Sequence, residues 1–312
     1  ARAPVSLPAL RAAAADRLPD GSRRLVVVVG AGLNAAAAHA GGIAHSWAAL
    51  LQAVEDELEG MDATLPRPLP TSATAHWEAL LHAAAAALPD AATADAERVL
   101  RNAVVAQLRR FEDQAPGNAL FGKVLGWGLR DLISLNFDLS LVRSAGRHRL
   151  SHAVSREDLP ALRRRLGRRV GNDASLYRRA ELQGEEATTR VWYPHGDTGR
   201  AESVKLGVHS YGRSLTALEH AVGVYHREER LHAERQSPTP WPDALRQLPE
   251  GSLSWATVLL GSPVLFLGVG LSLEEWPLWW ILHRRARLHA RLPPDQRPGT
   301  WTILRRGTPP NA

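Results

Sequence analysis

At 312 residues, with 45% hydrophobic and 22% charged residues, the chain is long enough to bury a large core, as one big domain or two closely packed ones. It contains no cysteine, which excludes disulfides, thiol nucleophiles and thiolate zinc sites. The net charge of +6 is a weak pointer to nucleic acid, because the basic residues are nearly all arginines (lysine stands only at Lys123 and Lys205) and are interleaved with acids.

The first residues, "ARAPVSLPALRAAAADRLPDGSRR", are Arg- and Ala-rich but carry two aspartates and no apolar segment, so they predict an N-terminal helical extension over 1–22 rather than a targeting peptide. "LVVVVG" then predicts a strand at 25–30 buried on both faces, followed by a glycine loop. "SWAALLQAVEDELEG" has apolar positions at helical spacing, with Ser46 placed as N-cap and Gly60 as the stop. A proline-rich connection leads to Ala-rich helices, and together they predict a helical inserted subdomain over about 61–116.

"DLISL" predicts a second buried strand at 131–135, whereas residues 145–189 are polar and Arg-rich and give no clear pattern. The densest basic run, "RRRLGRRVG" at 163–171, reads more readily as a solvated helix end and loop than as a phosphate patch. "TRVWYP" and "ESVKLGV" suggest a hairpin-like strand pair around "HGDTGR". Helices at about 214–234 and 252–260, the strand "PVLFLGVG", the helix "SLEEWPLWWILHRRARLHARL" and a closing strand "TWTIL" complete the chain. Buried strands alternating with helices predict an α/β fold, a Rossmann-like, mostly parallel sheet flanked by helices.

In such sheets ligands lie beyond the carboxyl ends of the strands, so the residues just after apolar runs carry the functional reading. "GAGLNA", residues 30–35, satisfies G-x-G-x-x-[G/A] and suits a loop whose backbone amides cradle a pyrophosphate. A hydride-transferring dehydrogenase also needs an acid about 20 positions on, after a second strand. Here Glu55, Asp56 and Glu57 fall inside a predicted helix, which argues against that reaction. In "SLNFDLS", Asn136 and Asp138 are placed to hold a ribose hydroxyl, a carboxamide or a water, with Asp138 also fitted to cap a helix. "YPHGD" offers His195 as a base at a strand end. His220, His226 and His232 repeat every six residues, a spacing that does not align metal ligands on a helix, so no metal is expected.

In this order the elements "VVVVGAGLN", "GGIAHSWAALLQAV", "LISLNFD", "HGD" and "LFLGVGLSLEEW" resemble the sirtuin-like superfamily, specifically the bacterial SIR2-like NAD-hydrolase domains of anti-phage defence systems. The likeness spans roughly residues 23–306 and implies a SIR2-like NAD-binding domain over 23–312. It implies that Gly30, Ala31 and Gly32 line a pyrophosphate, with Asn34 standing where the family commonly has serine. It further implies that Asn136 and Asp138 face the nicotinamide ribose, that His195 is the base, and that Gly268 and Gly270 border the adenosine. The four-cysteine zinc module of protein-deacylating sirtuins is absent, which disfavours deacylation.

The expectation is therefore an NAD+ glycohydrolase with NAD as substrate and no metal, cytoplasmic and unattached to membrane, depleting NAD in abortive antiviral defence. Such an activity has to be held off until a trigger, either assembly into a homo-oligomer or a partner defence protein. The competing expectations are a catalytically silent module that senses NAD or ADP-ribose, and a nucleic-acid-associated defence subunit, although only weak or indirect nucleic-acid binding is expected.

Overall fold

A computed structural model describes residues 7–38, 47–88, 93–114, 119–147, 153–156, 176–183, 188–239, 241–248, 253–272 and 274–303. In chain order these form α1 (Leu7–Ala15), β1 (Val26–Val29), α2 (Ala31–Ala38), α3 (Trp47–Gly60), α4 (Ala73–Ala87), α5 (Thr93–Gln114), α6 (Ala119–Leu125), β2 (Asp131–Ser134) and α7 (Ser140–Arg143). They continue with β3 (Ala153–Arg156), β4 (Arg179–Gln183), β5 (Thr188–Trp192), α8 (Gly207–Glu234), α9 (Trp241–Ala244), α10 (Trp255–Gly261), β6 (Val264–Leu267), α11 (Trp276–His289) and β7 (Thr300–Ile303).

The valines of β1 sit at the centre of a seven-stranded sheet of order β3-β4-β5-β2-β1-β6-β7. The pairs β5·β2, β2·β1, β1·β6 and β6·β7 are parallel; β4 runs antiparallel to β5 and to β3. Val28 stands in register between Ile133 and Phe266. Alternation along β1 sends Val26 and Val28 into a core with α8, α10 and α11, and Val27 and Val29 into a second core with α6 and α7. Both faces are thus covered, which is why the strand reads as an unbroken apolar run, each fully buried valine contributing about 1.5–3 kcal/mol.

A third core belongs to the inserted helices. Leu50, Leu51, Val54 and Leu58 of α3 pack with Trp77 and Leu80 of α4 and with Leu100, Val104 and Leu108 of α5. The helical unit therefore begins with α3, earlier than residue 61, because the amphipathic stripe of α3 has its partners in α4 and α5. At the other end, Leu10, Ala13 and Ala14 of α1 lie against the second core.

Two regions depart from the sequence reading. "ESVKLGV" is not a strand: Ala201–Ser203 is a 3-10 turn and α8 starts at Gly207. Val204 and Leu206 bury into the helical unit, and the Val208 amide donates to Glu78 of α4 at 2.8 Å, so this segment pairs with a helix and not with β5. Second, the Arg-rich stretch contributes β3 and β4. The pattern of β4 is masked in sequence by charged residues that are neutralised internally, as Arg179 is by Glu181 at 2.9 Å. Ser46 and the run 163–171 lie outside the described residues.

Candidate active site

The loops that follow β1, β2, β5 and β6 all emerge at the carboxyl edge of the parallel strands. β1 continues leftward to β2 and the chain later crosses to β6 on the other side, so the β1–β6 boundary is the topological switch point, where open α/β sheets bind ligands. A cleft with an empty volume of about 870 Å³, its open mouth included, lies there. It is lined by Gly30, Ala31, Asn34, Asn136, Asp138 and Gly270, by Leu50 of α3 and Leu108 of α5 from the helical unit, and by Glu275.

The two glycine loops meet each other at the base of this cleft. The Gly32 amide donates to the Gly268 carbonyl at 2.8 Å, and a Cβ on either residue would fall within 3 Å of the other loop's backbone. Gly268 also has φ +64°, a conformation L residues rarely adopt. Gly32 and Gly268 are thus needed for loop-to-loop approach, and neither lines the cleft. Of the glycine-loop residues expected at a dinucleotide, Gly30, Ala31 and Gly270 line the cleft. The Gly30 amide donates to the Leu267 carbonyl and the Leu33 amide to the Gly30 carbonyl, so much of the loop's donor capacity is used within the protein.

Polar side chains of this lining form one connected set. Asn34, buried on the first turns of α2, donates through Nδ2 to Asp138 Oδ2 at 2.7 Å and accepts through Oδ1 from Asn136 Nδ2 at 3.1 Å. Asp138 also accepts from the Ser140 amide at 3.1 Å, so it steadies the start of α7, although the cap position itself is Leu139. Asp138 therefore braces Asn136 through Asn34. The link ties the β1 loop to the β2 loop and fixes the amide of Asn136, which is half-exposed to the cleft.

Beneath the β2 and β5 loops lies a buried charged layer. Glu112 of α5 accepts from the Leu139 amide at 2.7 Å and from the Thr198 hydroxyl, and Arg143 meets its other oxygen at 2.8 Å. Burial raises the Glu112 carboxyl above its ordinary value despite these donors. Arg178 and Asp197 form a buried bidentate pair, with Nη2 to Oδ1 at 2.6 Å. Burial first, and then Asp197, Asp138 and Glu112, push the Tyr193 hydroxyl well above its usual pKa. Within "HGD", Asp197 and Gly196 are therefore structural: Gly196 has φ +82°, and a Cβ there would collide with the Ser203 carbonyl.

His195, at the end of β5, is buried and stacked on Tyr211 of α8 with ring centroids 5.5 Å apart. It does not line the main cleft. Its Nε2 lies 3.1 Å from Glu275 Oε2, and it is Glu275 that reaches the cleft. Burial works against ionisation of Glu275, yet the adjacent His195 holds its carboxyl below the ordinary value. In the sequence Glu275 is inconspicuous beside the glycines of "GVGLSLEEW", and the two acids ahead of Pro277 are its one signal. Its neighbour Glu274 accepts from the Ala73 amide with both oxygens at 3.1 Å, fastening the β6 loop to the start of α4.

Among the described residues, no group of three or more His, Asp or Glu is arranged to hold a metal ion, and no helix is long and apolar enough to cross a membrane. Neither the family models nor the curated proteins compared with the chain match it.

Proposed function

We propose that the protein cleaves the nicotinamide–ribosyl bond of NAD+, releasing nicotinamide and ADP-ribose, and that this activity depletes NAD in anti-phage defence, as the SIR2-like resemblance implies. The observation that carries the reading is the convergence of the Asn136–Asn34–Asp138 set and the Glu275–His195 pair on one cleft at the switch point. Breaking a glycosidic bond of this kind passes through an oxocarbenium-like state with positive charge on the ribose. The reaction asks for a group to orient the leaving carboxamide, carboxylates that tolerate a growing cation, and an acceptor for the proton of the attacking water. Asn136, held by Asn34, supplies orientation; Asp138 and Glu275 supply negative charge; the Glu275–His195 pair takes the proton. Binding of the remote adenosine and phosphates along Gly30, Ala31 and Gly270 fixes the reacting sugar.

The burial of His195, which is not among the residues lining the cleft, favours a second reading in which the cleft binds the dinucleotide or ADP-ribose without turning it over. Incubating the protein with NAD+ and following nicotinamide release decides between them. Release at a rate lost in Asn136→Ala supports hydrolysis. Tight ADP-ribose binding with no release, with or without assembly, supports sensing, and absence of both binding and release rejects the two readings together.

A further inference from the structure

We infer that Glu275 is the group that meets the positively charged nicotinamide ring and makes the cleft select the oxidised over the reduced dinucleotide, with His195 a positioning residue behind it. The inference rests on the reading of the cleft as a dinucleotide site.

Depth separates the two residues. The side chain of Glu275 is 19% exposed and lines the cleft, whereas that of His195 is 7% exposed and is not among the residues lining it. His195 Nε2 lies 3.1 Å from Glu275 Oε2, close enough to hold the carboxylate in place. The other acid on the cleft is already engaged: Asp138 uses one oxygen for Asn34 and the other for the Ser140 amide. Glu275 Oε2 itself is buried beside His195 Nε2, so the histidine backs the carboxylate from within the protein.

Charge points the same way. Among the described residues that line the cleft are two carboxylates and neither lysine nor arginine, and the lining includes the apolar side chains of Leu135, Val269 and Leu271. A carboxylate kept ionised in such surroundings is stabilised by a cation that enters with the ligand. Oxidised nicotinamide is a pyridinium cation and its reduced form is neutral, so the two dinucleotides differ by the charge that Glu275 reads. ADP-ribose lacks the ring altogether and serves as the internal control.

Calorimetry on the full chain with three probes tests this: NADH, ADP-ribose, and a carbocyclic NAD+ analogue whose ribose ring oxygen is methylene and which therefore resists cleavage. The wild-type protein should bind the cationic analogue about tenfold or more tightly than NADH, and Glu275→Gln should reduce that preference to within about twofold while leaving ADP-ribose affinity unchanged. His195→Gln should reduce the preference by less than Glu275→Gln, again with ADP-ribose affinity retained. Equal weakening of all three probes by Glu275→Gln, or a preference that survives it, overturns the inference alone. Failure of the wild-type chain to bind any of the three rejects the dinucleotide reading on which it stands.

Discussion

The Cβ that Gly32 lacks would stand 2.7 Å from the carbonyl oxygen of Gly268, so the two glycine loops at the switch point are each built around the other's backbone. Substituting either residue forces the loops apart. Gly32→Ala and Gly268→Ala should each destabilise the protein by about 1–3 kcal/mol through overpacking, with the positive φ of Gly268 adding about 1–2 kcal/mol to the second. Gly270 provides the contrast, since a Cβ there meets no protein atom within 4 Å although the residue lines the cleft. Gly270→Ala should keep stability within about 1 kcal/mol and weaken dinucleotide binding. Urea denaturation and calorimetry separate the two effects, and a fully stable Gly32→Ala protein contradicts the packing argument.

Asn34 holds two loops, and Asn136 only one end of that link. Asn34→Ala strips the donor from buried Asp138 and the acceptor from Asn136, and should cost about 1–3 kcal/mol. Asn136→Ala loses one bond at a half-exposed position and should cost about 0.5–1.5 kcal/mol, with its main effect on turnover. A double-mutant cycle between them should show a coupling of about 0.5 kcal/mol or more; additive effects would show that the hydrogen bond does not connect the loops.

Much of this frame is legible in the sequence because it follows from local patterning. The valine run, "DLISL" and "PVLFL" announce strands buried on both faces, and the residues after them do gather at one sheet edge. What stays hidden depends on partners distant in the chain. β4 is written in charged residues that read as loop until Arg179 pairs with Glu181 and, just ahead of the strand, Arg178 finds Asp197. That Gly32 is packed against Gly268, far along the sequence, is likewise invisible in the local pattern. Glu275 is ordinary as the last residue before a helix and gains its meaning only beside His195.

The Arg178–Asp197 pair tests the structural half of "HGD". Both groups are buried, and removing Asp197 takes the bidentate carboxylate away from a buried guanidinium. Asp197→Ala should therefore cost about 3–5 kcal/mol. Replacing both partners, as in Arg178→Met with Asp197→Leu, should recover part of that loss because no lone charge remains buried. A single Asp197→Ala variant as stable as wild type would move Asp197 from the scaffold to the chemistry.

His289 sets an acid limit on stability. It is buried on α11 with Nε2 at 2.8 Å from the Leu260 carbonyl, and burial, then the Arg285 guanidinium, depress its pKa from 6.5 to about 4. Arg285, itself lowered to about 9 by burial, donates to the Leu259 and Leu260 carbonyls, and Arg297 adds further positive charge nearby. The folded protein thus keeps this imidazole neutral where the unfolded chain protonates it. Above pH 6.5 neither state binds the proton and His289 makes stability independent of pH. As pH falls from 6.5 towards about 4 the unfolded state gains the proton first, so stability drops, by at most about 1.4 kcal/mol per pH unit for one group. His289→Gln keeps a donor for Leu260 but cannot titrate. The difference between wild-type and variant unfolding free energies should be constant from pH 8 to 6.5 and then shrink steadily towards pH 4, at the expense of the wild type. A difference that stays flat through that window would show that His289 is charged in both states or in neither.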